Sequence, residues 1–111
     1  MHGMRSKVAK DRLREFTAAH QSQPLEILSY DVAGHDNRTA VAVSHFIYGF
    51  AVKAKVNGAT KEYRYPGFIE RDGVVWLGQS VLLLTPERAS ELRVFLEAKG
   101  VAHWGIRVET R

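Results

Sequence analysis

Apolar and polar positions alternate along this chain with two different periods. Ala9, Leu13, Phe16 and His20 fall at i, i+4, i+7 and i+11, one helical stripe, and predict a helix over 5–21. Pro24 ends it, because proline has no N–H to continue the ladder. The following residues change period. Residues 25–33, Leu-Glu-Ile-Leu-Ser-Tyr-Asp-Val-Ala, read as a strand, and Gly34-His35-Asp36-Asn37 as a turn. Residues 39–48, rich in Val, Ile and aromatics, read as a second strand, with Gly49 marking a bulge or bend.

The clearest local signal is Asn57-Gly58 between two alternating runs, which predicts a hairpin closed by a two-residue type I′ turn. That turn sets the register: Val56 opposite Ala59, Lys55 opposite Thr60, Ala54 opposite Lys61, Lys53 opposite Glu62, Val52 opposite Tyr63, Ala51 opposite Arg64 and Phe50 opposite Tyr65. Register divides the faces. Phe50, Val52, Ala54, Val56, Tyr63 and Tyr65 share a face that reads as core. Lys53, Lys55, Thr60, Glu62 and Arg64 share the other, which reads as wet and mostly basic.

Pro66-Gly67 closes the hairpin. Phe68-Ile69, a turn over 70–73 and Val74–Leu77 suggest a further short hairpin, and Ser80–Leu84 a buried central strand. Thr85-Pro86-Glu87 opens a helix with an N-cap, a proline at the first position and an acid in the first turn, and Gly100 closes it. Residues 101–109 form a last strand at an edge. The expected fold class is α+β: a mostly antiparallel sheet of five to six strands, with an N-terminal and a C-terminal helix packed on one face. In architecture this is loosely similar to small single-strand-binding folds of the Whirly kind, a resemblance that rests on no shared motif.

Composition narrows the class. With 111 residues, 45% of them hydrophobic, the chain reads as a single domain over 1–111 large enough to bury a core. It has no cysteine, which excludes a disulfide framework, cysteine-ligated zinc, iron–sulfur clusters and thiol catalysis. The longest apolar stretch, Val74 to Leu84, is interrupted by Gly78-Gln79-Ser80 and is too short to span a bilayer as a helix. A cytoplasmic protein without membrane contact is expected.

Net charge is +4, and its distribution is more informative than its size. Residues 1–24 and 51–71 each carry +3, residues 25–50 carry −2, and residues 72–111 are neutral. Lys53, Lys55 and Arg64 form a basic strand surface, with Lys61 at the tip and Arg71 nearby. Alternate side chains on a strand lie about 6.6–6.8 Å apart, close to the phosphate spacing of one nucleic-acid strand. Lys7, Lys10 and Arg14, with Arg5 and Arg12, place a second set of cations on the first helix. The same residues also suit a solvated sheet face, with Lys53–Glu62 a cross-strand pair, and a solubilised helix with Asp11 and Glu15 pairing locally. Tyr48, Phe68 and Trp76 are the aromatics available to stack on bases. Trp104, beside His103, suits base stacking or a dimer interface.

Catalytic chemistry finds little support. His20, His35, His45 and His103 have no metal-binding spacing, and there is no H-E-x-x-H, phosphate-binding loop or dinucleotide fingerprint. Gly78-Gln79-Ser80 lacks the closing glycine of a nucleophile elbow. A hydrolase built on His45 and His103 therefore ranks third. The leading expectation is a small non-enzymatic nucleic-acid-binding or regulatory protein, favouring single strands, with no metal or cofactor. The alternative is a protein-interaction module (inhibitor, adaptor or assembly subunit) that works through a sheet edge or an aromatic patch around Trp76 and Trp104. The last strand offers an edge through which the sheet continues across a two-fold axis, so a homodimer is expected.

Overall fold

The computed structural model describes residues 2–20 and 23–109, and side chains from Lys10 onward. The order is α1 (His2–Ala19), β1 (Pro24–Asp31), α2 (Asn37–Tyr48), β2 (Gly49–Val56), β3 (Ala59–Pro66), a 3-10 turn (Phe68–Glu70), β4 (Val74–Gly78), β5 (Val81–Leu84), α3 (Pro86–Ala98) and β6 (Ala102–Glu109). Strands β4-β5-β1-β6 make an antiparallel sheet in that order, and β2 and β3 form a separate two-stranded sheet.

Alternation along β1 sends side chains to two different cores. Leu28 and Tyr30, with Val74, Leu82 and Leu84, face a layer that holds Val43 and Ile47 of α2, Phe68, and Ala89, Leu92 and Leu96 of α3. Leu25, Val75 and Leu83 face the other way, onto Phe16 of α1, with Leu13, Ile27 and Val108 at the margin. The molecule is therefore α+β and antiparallel, but two sequence expectations need correction. The helices do not share one face: α1 covers one side of the sheet, and α2 and α3 the other. The six strands do not form one sheet, because β2 and β3 leave it.

A third correction explains the second. Residues 39–48 are helical, not extended. The β-branched content of this run favours a strand, but Asp36 caps its start by accepting from Thr39 N–H at 2.8 Å. Val43 and Ile47, four residues apart, then bury together against the core. Packing and cap outweigh propensity. With α2 in place of a strand, the hairpin has no neighbouring strand to join. Phe68-Ile69 likewise forms a 3-10 turn, not a strand paired with Val74–Leu77. Elsewhere the reading holds: β5 is interior to the sheet, β6 is an edge, and α3 starts at Thr85, whose side chain accepts from Arg88 N–H. Among the described residues, no helix is long and apolar enough to cross a membrane.

Candidate nucleic-acid interface

The β2–β3 hairpin adopts the register expected from Asn57-Gly58, pair for pair from Val56–Ala59 to Phe50–Tyr65. Asn57 and Gly58 both take positive φ (53° and 80°), as a type I′ turn requires. Two eight-residue strands extend about 26 Å, and the molecule as a whole is 55 Å long and 26–33 Å across. Every residue of β3 is exposed, and β2 is exposed except at Gly49, Ala54 and Val56, which are half-buried. The hairpin is an arm.

Its root is built by close backbone approach. Gly49 caps α2 with φ 79° and ψ −179°, a conformation restricted to glycine. Gly67 lies against the backbone of Ile47, Tyr48 and Gly49, where no Cβ fits. Glu70 secures this junction: its carboxylate accepts from Gly67 N–H and from Arg64 Nη2, each at 2.7 Å. The Gly67 N–H and the Arg64 guanidinium hold the Glu70 carboxyl below its ordinary value of 4.5, with a smaller contribution from Arg12 of α1. Arg12 itself donates to Val74 O at 3.3 Å.

The sign of this shift gives a testable pH dependence. A depressed carboxyl pKa favours the folded arrangement above the unfolded value, and that contribution is lost as pH falls through the folded one. Acid titration followed by NMR is expected to move the Gly67 amide with the protonation of Glu70, and Glu70→Gln to abolish that movement. A Gly67 amide indifferent to acid would contradict this account of the root.

The arm's two faces differ in chemistry. One carries Lys53, Lys55 and Arg64 beside Thr60 and Glu62. Lys53 stands across from Glu62 without closing an ion pair, and among the described residues no side chain pairs with Lys53, Lys55 or Lys61. The other face, expected to be core, is open: Phe50 is 38% exposed, Val52 44%, Tyr63 43% and Tyr65 50%. This is a correction with a simple cause. Register determines which residues share a face, not whether anything covers it, and nothing in the fold does. Phe50 stacks between His45 and Tyr65, with ring centroids 4.4 and 4.7 Å away and interplanar angles of 22° and 17°. The result is a stack of three near-parallel rings that starts on α2 and crosses the arm next to its root.

The remaining candidates divide. Phe68 is fully buried and cannot stack on a ligand, which corrects its assignment. Tyr48 and Trp76 are exposed and adjacent, in a T-shaped contact, but both are anchored: the Tyr48 hydroxyl and Trp76 Nε1–H donate to Gln79 O at 2.7 and 2.8 Å. They brace the turn at Gln79. Burial, foremost, and a hydrogen bond to Tyr48 push the Tyr30 hydroxyl beneath them to a higher pKa. Arg71 is committed too: it lies over Phe46 and Phe68 and pairs with Glu91 at 3.0 Å. Lys10 and Arg14 are exposed on α1, and the side chain of Lys7 lies outside the described residues. His45 and His103 sit on separate elements with separate partners, Phe50 for one and Glu97 and Val101 O for the other. Among the described residues there is no group of three His, Asp or Glu able to hold a metal. No known family model, curated protein or solved structure matches this chain.

Proposed function

We propose that this is a non-enzymatic, cytoplasmic nucleic-acid-binding protein that grips single strands with the β2–β3 arm. The observation that carries the reading is the exposed ring stack of His45, Phe50 and Tyr65, with Tyr63 exposed on the same face, on a ribbon whose reverse face holds lysines that are unpaired among the described residues. Bases stack on such rings with little sequence preference, and lysines neutralise the phosphates beside them. The ribbon is two strands wide, about 5 Å between strand axes, so lysine side chains rooted on its reverse face reach its rim. Lys53 and Lys55 then line the β2 side, while Lys61 shares the aromatic face. Lys10 and Arg14 are further exposed cations on α1.

Fluorescence anisotropy with labelled single-stranded DNA, RNA and duplex DNA at about 50 and 200 mM salt tests this. The single strands are expected to bind best and to weaken steeply with salt. Lys53→Ala/Lys55→Ala is expected to lower the magnitude of the log–log salt slope by about 1.4 on a single strand. Tyr65→Ala should weaken binding by about 1–3 kcal/mol while leaving that slope unchanged. Absence of binding at low salt, or binding indifferent to salt, sinks the reading.

A second reading, a protein-interaction module, is favoured by a separate observation at the opposite edge of the main sheet. Trp104 and Ile106 of β6 are 59% and 63% exposed.

A further inference from the structure

We propose that β6 is a self-complementary dimerisation edge, which joins two copies of this chain into an antiparallel eight-stranded sheet centred on Gly105. The inference does not depend on nucleic-acid binding.

The direction of the backbone groups on β6 follows from two hydrogen bonds and the register. Tyr30 N–H donates to Ser80 O and Thr85 N–H to Gly73 O, at 3.1 and 3.0 Å. In an antiparallel pair, bonded positions alternate. Even-numbered residues of β1 therefore bond to β5, and odd-numbered ones bond to β6. Because Ser29 faces Trp104 and Ile27 faces Ile106, the even-numbered residues of β6 are tied to β1. The N–H and C=O groups of His103, Gly105 and Arg107 point away from the sheet, a row of donors and acceptors ready to template another strand.

The side chains of β6 match a second copy of themselves. In a two-fold pairing centred on Gly105, Trp104 stands opposite Ile106 of the other copy, twice. These are non-hydrogen-bonded positions, where cross-strand side chains approach most closely. Trp104 and Ile106 of both copies, exposed in the single chain, then form one strip of four apolar side chains on the α1 side of the sheet. On the opposite face, His103 stands opposite Arg107 of the other copy. His103 Nε2 lies 3.8 Å from Glu97, whose side chain is 66% exposed. Arg107 is exposed and unpaired among the described residues. Pairing brings the Arg107 cation toward Glu97 twice, once on each side of the axis. At the axis Gly105 contributes no side chain of its own; a Cβ there would meet only the ends of the Arg93 and Glu26 side chains, Nη2 at 2.6 and Oε2 at 2.7 Å, which lie over it on that face.

Sedimentation equilibrium without nucleic acid tests the proposal. The wild-type chain is expected to be dimeric at micromolar concentration, and Trp104→Glu monomeric. Arg107→Pro removes an N–H that points outward while the ladder to β1 stays intact, so it is expected to retain a native circular dichroism spectrum yet weaken the dimer roughly tenfold or more. Glu97→Arg and Arg107→Glu should each dimerise more weakly than wild type. An equimolar mixture of these two variants should recover association, because the heterodimer restores an opposite-charge pair on both sides of the axis. A wild-type monomer at about 100 μM, a concentration at which even a weak specific pair associates, overturns the proposal. So does a dimer that survives both Trp104→Glu and Arg107→Pro, or a mixture no tighter than its components.

Discussion

Phe68→Ala is expected to destabilise the protein by about 3–5 kcal/mol, while any affinity for nucleic acid measured on the folded fraction stays unchanged. Phe68 is completely buried between α2 and the sheet, stacked on Phe46 with centroids 5.3 Å apart and covered by the Arg71 guanidinium at 5.3 Å. Removing the ring takes away its transfer free energy and leaves a cavity among Val43, Ile47, Val74 and Leu92 that tight packing cannot collapse. Urea denaturation should show a lower midpoint with an unchanged slope. The counterpart, Tyr65→Ala on the arm, is expected to leave the midpoint nearly unaltered and to weaken ligand binding instead. Equal midpoints for Phe68→Ala and wild type would contradict the burial of Phe68.

The second large effect lies at the root of the arm. Gly49→Ala and Gly67→Ala are each expected to cost about 3 kcal/mol or more, from backbone overlap and, at Gly49, a disallowed conformation. A Cβ on Gly49 would collide with Tyr65 O and lie 2.7 Å from Gly67 N; one on Gly67 would collide with Ile47 O and Tyr48 C. These neighbours are backbone atoms and cannot rotate aside. Gly58→Ala provides the control: its φ is also positive, 80°, but a Cβ there meets nothing within 4 Å, so only the left-handed cost of roughly 1–2 kcal/mol applies. Thermal unfolding of the three variants should rank them in that order. Gly49→Ala as benign as Gly58→Ala would mean that the root is looser than described.

Local signals in the sequence predicted some of these features and not others. Asn57-Gly58 carries the entire register of the arm, because a two-residue turn leaves the strands no alternative pairing. Thr85-Pro86 and Gly100 bracket α3 for equally local reasons. Residues 39–48 misled because propensity and packing conflict there. The cap at Asp36 and the spacing of Val43 and Ile47 were readable, but the β-branched run obscured them. The aromatics are a separate case: register puts Phe50, Tyr63 and Tyr65 on one apolar face, while 39–48, as a helix, fills the core with Val43 and Ile47 and leaves that face bare. Coverage is a tertiary property, so no periodicity reports it. The lysines were easier to place, since an ammonium group stays in water in either arrangement.

The glycine junction at the foot of the hairpin also has a kinetic consequence. With Gly49 and Gly67 in backbone contact and Glu70 clamping both Gly67 and Arg64, the arm leaves the body in one direction. A ligand meeting it loses little free energy to ordering the receptor. Association should then be set by electrostatic steering and respond to ionic strength, whereas changes to the ring stack should appear almost entirely in the dissociation rate.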